Sequence, residues 1–148
     1  MRRKPSQVSP SIRIKLKEAR VARFATVDAE CRPYVVPICF VYDGRVFYTA
    51  IDNKPKRAEP GELARVRHIR RMPQVALLID EYCENWSRLW FVLVRGTATL
   101  IPESATRERA RVIRQLKKKY PQYAEGMLPD HAPIIRVTPE RIMSWGKF

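Results

Sequence analysis

PYVVPICFVYDGRVFYTAIDNKPKR, residues 33–57, decides how the rest of the chain is read. Tyr34 to Tyr42 is a run of β-branched and aromatic residues, the types that suit a pleated, half-buried surface. Asp43-Gly44 is a turn dipeptide, because glycine takes the positive φ that a tight hairpin requires. Val46 to Ala50 is a second β run. The stretch predicts a hairpin that leads directly into Lys54, Lys56 and Arg57. Strands that end at a hydroxyl residue, Thr49, and then at a cation cluster make a seat for a phosphate-bearing ligand. The hydroxyl hydrogen-bonds phosphate oxygens and the cations balance their charge. Pro37 cannot donate to a ladder, which places it on a sheet edge, at a bulge, or facing a ligand.

Working outward, Ser9-Pro10 reads as an N-cap followed by proline at the first helical position. Ile12, Leu16 and Ala19 then recur on one face of a helix running to about Val21. Phe24–Val27 is a short strand and Asp28–Arg32 a turn. Beyond the hairpin, residues 51–60 form a loop stiffened by Pro55 and Pro60. A helix over Glu62–Arg71 is stopped by Pro73, with Leu63 and Val66 toward the core. Val75–Ile79 is continuously apolar and reads as a strand buried on both faces. Asp80–Asn85 is an acidic connection. Ser87–Ile101 reads as a strand pair or one long strand bent at Gly96. With period two, Trp86, Arg88 and Trp90 share one face if the strand already starts there. A helix over Ser104–Tyr120 turns Ala110, Ile113, Leu116 and Tyr120 to one side, and residues 122–132 are irregular. A last strand, 133–145, is broken by Pro139. The count is six strands and three helices, and strands this numerous in a small domain close into a barrel that removes exposed edges.

Composition bounds the rest. A chain of 148 residues, 45% of them hydrophobic, is one domain with enough apolar material for a core. Residues 1–8 read as a flexible basic arm and 9–148 as the domain. No long apolar run predicts a membrane span, and the N-terminus lacks the apolar region of a secretory signal. Three widely spaced cysteines read as free thiols of a reducing cytoplasm. His68 and His131 stand at no metal-ligand spacing, so no metal is expected. The formal net charge is +14, with 29 Lys and Arg against 15 Asp and Glu, and its excess falls on helices and one loop. That surface attracts polyanions such as nucleic acid only non-specifically, and a solvated basic coat is the simpler reading.

Three stretches, ARVARFATVDAECRPYVVPICFVYDGRVFYTAIDNKPKR, RMPQVALLID and WSRLWFVLVRGTATLI, together resemble the pyridoxamine 5'-phosphate oxidase-like FMN-binding split-barrel superfamily, in particular its coenzyme F420-dependent branch. The resemblance spans roughly residues 10–146. It implies a mainly β fold, a six-stranded Greek-key split barrel with flanking helices. It also implies a homodimer with two cofactor sites at the subunit interface. The activity implied is that of an oxidoreductase moving hydride between F420 or FMN and a small organic substrate. By position, Val36, Pro37 and Ile38 would lie along the ring system, and Thr49 and Ala50 would meet phosphate or ribityl oxygens. Lys54, Lys56 and Arg57 would hold the phosphate end. Arg88 and Trp90 would approach the cofactor. The oxidase proper carries an Arg and a Lys on its first FMN strand. Tyr34–Cys39 has neither, which points away from pyridoxamine phosphate and toward the F420 branch. The +5 charge of residues 54–71 would suit the anionic oligoglutamate tail of F420. No catalytic acid is singled out, since Tyr48 and Tyr82 read as packing residues and a flavin-type cofactor does its own redox chemistry. Non-catalytic flavin or haem binding is the alternative.

Overall fold

In the computed structural model, residues 8–55 and 63–148 are described. Seven strands form one antiparallel sheet: β1 (Ala22–Val27), β2 (Pro33–Ile38), β3 (Val41–Tyr42), β4 (Phe47–Ala50), β5 (Gln74–Glu81), β6 (Trp90–Leu100) and β7 (Ile134–Gly146). Three helices accompany them: α1 (Pro10–Glu18), α2 (Ala64–Arg71) and α3 (Thr106–Lys119). The strand order is β2-β1-β5-β6-β7-β4-β3. The two outermost strands, β2 and β3, are joined by Cys39 and Phe40 alone. Three residue steps span at most about 11 Å, so the sheet must curl until its two ends nearly meet. The barrel-like shape is thus a consequence of chain connectivity.

The seventh strand corrects the six-strand expectation. The run from Tyr34 to Tyr42 is two strands, because Phe40 spends its backbone elsewhere. Its N–H donates to Tyr120 Oη at 3.0 Å, and that hydroxyl donates to Arg20 and Phe40 carbonyls at 2.9 and 3.2 Å. Pro37 lies on β2, which pairs only with β1, so its missing N–H falls on an edge strand. The turn after β3 forms as expected. Asp43 Oδ1 accepts from the N–H groups of Arg45 and Val46, and Gly44 has φ 95°.

The barrel interior is filled by Phe24, Phe40, Phe47, Leu77, Ile79, Val92, Val94 and Val137, with Leu16 of α1 and Val66 and Ile69 of α2 added to the same core. Ser9 caps α1, and the helix ends at Glu18, short of Val21. A second core lies outside the barrel, where Val112, Ile113 and Leu116 of α3 cover Val41, Tyr48, Ala50 and Ile134. On α3, Ala110 is exposed and Arg109 turns inward instead, its guanidinium donating to the Ala132 carbonyl at 2.7 Å. No helix among the described residues is long and apolar enough to cross a membrane.

Two further expectations are corrected. β5 is not buried on both faces, since Leu78 is 37% exposed while Leu77 and Ile79 are fully buried. Trp86–Arg88 is a 3-10 turn. The Asn85 side chain accepts from Ser87 N–H and Oγ at 3.1 and 2.6 Å and curls the chain before β6 begins. Trp86 is therefore 70% exposed, whereas Trp90 is 4% exposed with its indole N–H on Glu81 Oε2.

Across β1, β5, β6 and β7 the outward positions stay bare. Registers align Arg23, Leu78, Leu93 and Met143 in one row, Ala25, Ala76, Arg95 and Arg141 in the next, and Asp80, Phe91 and Trp145 in a third. Val35 of β2, opposite Ala25, is 61% exposed and Trp145 55%. Phe91 and Trp145 stack with ring centroids 5.7 Å apart. An apolar face of this extent is uncommon on an unpartnered surface.

Candidate functional site

β4 is paired with β7, Thr49 opposite Ile135 and Ala50 opposite Ile134, and both Thr49 and Ala50 are buried. The chain then delivers Asp52 and Lys54 to a polar cluster. Lys54 Nζ and Tyr123 Oη each donate to Asp52 Oδ2 at 2.5 Å, and the Lys54 N–H donates to Oδ1 at 3.1 Å. Lys54 Nζ also lies 5.2 Å from the Tyr123 ring centre and 4.0 Å from Cys39 Sγ. Burial alone would raise the Asp52 pKa, but the hydrogen bonds from Lys54 and Tyr123 outweigh it and bring the carboxyl down to about 2. Burial, reinforced by the bond to Asp52, pushes the Tyr123 phenol far above its ordinary range. Nearby, Lys119 Nζ sits 4.0 Å from the Phe40 ring centre, and burial followed by the Arg20 charge lowers it to about 8.

Val36 is half-buried against the core, Ile38 is buried, and Pro37 between them is exposed, so these three do not share a face. Arg88 is exposed in the 3-10 turn, and Trp90 lies in the barrel core. Lys56 and Arg57 lie outside the described residues. The structure thus gathers Thr49, Ala50 and Lys54 at one end of β4. It puts Arg88 and Trp90 at the start of β6, with β7 between β6 and β4 in the sheet.

A separate opening lies on the bare outer face. A cleft of about 850 Å³ is lined by Ala25, Thr26 and Val27 of β1, Pro33 of β2, Gln74, Val75 and Ala76 of β5, Arg95 and Gly96 of β6, and Glu140–Met143 of β7. That volume is of the size that takes drug-sized and cofactor-sized molecules. Its floor is apolar, with Ala25, Val27, Ala76 and Met143 beside a few polar groups. Thr26 is fixed from behind by a 2.7 Å hydrogen bond between its Oγ1 and His68 Nδ1, and the His68 ring meets Tyr34 edge-on at 5.2 Å.

The cleft owes its shape to a break in the β6–β7 ladder between Arg95 and Gly96. Arg95 faces Arg141 and Gly96 faces Pro139, so Glu140 is the extra residue of a bulge. A Cβ on Gly96 would stand 2.2 Å from the Thr138 carbonyl oxygen, so glycine is required for this close approach. Sequence reasoning flagged Gly96 and Pro139 singly as bends. It missed Arg95, Glu140 and Arg141, because nothing local tells that the two irregularities oppose one another.

A curled antiparallel sheet with an edge strand, a bare apolar face and a cleft beside a bulge defines a split-barrel domain. The chain belongs to the pyridoxamine 5'-phosphate oxidase family, whose description matches residues 8–146. No curated protein matches the sequence. Among solved structures, the chain is similar to the haem storage protein HutZ from Vibrio cholerae at 19% identity and TM-score 0.72, covering 99% of this chain and 96% of that one. It is similar to an FAD-binding protein from Mesorhizobium loti at 22% identity and TM-score 0.67, covering 93% and 94%. An F420 reductase aligns at 20% identity and TM-score 0.64, covering 92% and 98%. At these identities the structural likeness speaks for the fold.

Proposed function

We propose that the protein is an oxidoreductase that holds a flavin-type cofactor, with coenzyme F420 favoured over FMN, and acts on a small organic substrate as a homodimer. The observation that carries this reading is the 850 Å³ cleft on an apolar sheet face beside the edge strand β2. An edge strand keeps backbone groups free for a ligand, and the apolar floor suits a planar ring. Family membership and the fold neighbours named as F420 reductase and FAD-binding protein support it. When bound, such a cofactor supplies the hydride chemistry.

The chain's own residues would bind and orient. Val35 and Pro37 offer the outward side of β2 to a ring, while Val36 and Ile38 hold that strand to the barrel. Thr49, Ala50 and Lys54, with Lys56 and Arg57 beyond them, would serve the phosphate end. Arg88 would reach the cofactor of the second subunit, and Trp90 would act from the core by fixing the turn that carries Arg88. F420 is favoured because β2 carries no cation, whereas Arg67, Arg70 and Arg71 of α2 are exposed and suit a longer anionic tail. A second copy would cover Val35, Leu78, Met143 and Trp145.

Titration of the purified protein with F420, FMN and haem at moderate salt, followed by absorbance or fluorescence, tests the assignment. Micromolar or tighter binding of F420 alone is expected. Binding of FMN alone would transfer the assignment to the FMN branch. Haem alone would favour a non-catalytic binder, and no binding would remove the cofactor reading. Sedimentation should give a dimer, and charging the outer face with Leu78→Asp should give a folded monomer.

A further inference from the structure

Arg95 and Arg141 stand directly opposite one another on β6 and β7, a position where facing Cβ atoms are about 4.5–5.5 Å apart. Both are exposed and both line the cleft. Among the described residues neither side chain has an ion pair or a hydrogen bond, whereas those of Arg23, Arg32, Arg109 and Arg136 each hold a carboxylate or a carbonyl. Like charges facing each other across a ladder repel. Glu140, which also lines the cleft, does not come within ion-pair distance of either arginine, because the bulge takes it out of register. Two guanidinium forks beside an apolar floor match the oxygens of a phosphate or a carboxylate in charge and in hydrogen-bond geometry.

We propose that Arg95 and Arg141 form an oxyanion seat in the cleft, occupied by a phosphate or carboxylate group of the ligand held there. The proposal rests on the cleft being the ligand site. It is separate from the cations after β4, since Lys54 is engaged with Asp52 and Tyr123 and does not line the cleft. The oxyanion has two possible sources: the cofactor's own phosphate, or an anionic substituent of the substrate.

Pyrophosphate is the probe, titrated calorimetrically into the full chain at moderate salt. Arg95→Gln and Arg141→Gln should each weaken it at least tenfold, and the double variant should abolish it. Arg114→Gln, the same charge change on the exposed side of α3, should leave it unchanged, and Glu140→Gln should tighten it several-fold. Wild-type affinity in the double variant overturns the seat. So does equal weakening by Arg114→Gln, which would mean general attraction to a basic surface. Loss of self-association in the double variant with pyrophosphate affinity unchanged also overturns it, assigning the arginines to subunit contact. FMN and riboflavin, which differ only in the phosphate, separate the sources. If the seat takes the cofactor, the double variant loses its preference for FMN, and FMN competes with pyrophosphate. If it takes the substrate, FMN affinity is unchanged and pyrophosphate binds the FMN-loaded protein. A wild type that binds no flavin or deazaflavin but still binds pyrophosphate through these arginines defeats the cofactor reading and leaves the seat standing.

Discussion

Two groups of cations in this protein have opposite surroundings. At the end of β4, Lys54 is tied to Asp52 and stacked near Tyr123, and Asp52 itself is buried. In the cleft, Arg95 and Arg141 face each other with no anion among the described residues. The first group is a completed network that fixes a loop. The second is a charged surface left open where the sheet also leaves its apolar face bare. The difference teaches that two cation groups can be prepared for a ligand in unlike ways: Lys54 is already held in place by Asp52, whereas Arg95 and Arg141 are held by no anion among the described residues.

The sharpest way to break the contrast is at the bulge. Gly96→Ala puts a Cβ into the Thr138 carbonyl, and should cost about 3 kcal/mol in urea unfolding while closing the cleft to ligand. A smaller but substantial effect is expected in the completed network. Tyr123→Phe removes a hydrogen bond to a buried carboxylate and should cost about 2 kcal/mol.

The same network should show in the pH dependence of stability. Asp52 has its folded pKa lowered from 3.8 to about 2, so its contribution is complete above roughly pH 4 and is lost as pH falls through about 2. Acid unfolding of the Tyr123→Phe variant should begin at higher pH than that of the wild type. The smallest effect belongs to the open group. Arg95→Gln relieves repulsion and should stabilise the free protein by about 0.5 kcal/mol at low salt. That gain should shrink or reverse in thermal melts with pyrophosphate, which stabilises only the protein that binds it.

Much of the fold was legible because it rests on local rules. Ser9-Pro10 starts α1, Asp43-Gly44 makes the hairpin turn, and Pro73 and Pro121 follow the ends of α2 and α3. The strand break at Cys39 and Phe40 was not legible, because it depends on a tyrosine hydroxyl some eighty residues away. The face shared by Trp86, Arg88 and Trp90 failed for a local reason, an asparagine side chain that competes with the ladder. Lys54 was found as a cation but not as a partnered one, since Asp52 and Tyr123 meet it only after folding.

By itself the sequence determined a mainly β domain, its helices and turns, its basic surface and its family, because periodicity, capping and turn chemistry act over a few residues. Only the tertiary structure decided that the sheet curls on a two-residue link, that one face stays bare, and that the bends at Gly96 and Pro139 are a single bulge. Those features depend on which strands become neighbours, and strand pairing is set by contacts between residues far apart in the chain. The hairpin that organises the reading of the sequence lies beside the cleft as its neighbour along β2, and the arginines inside that cleft come from β6, with which the hairpin does not pair, and from the far side of the bulge in β7, beyond its pairing with β4.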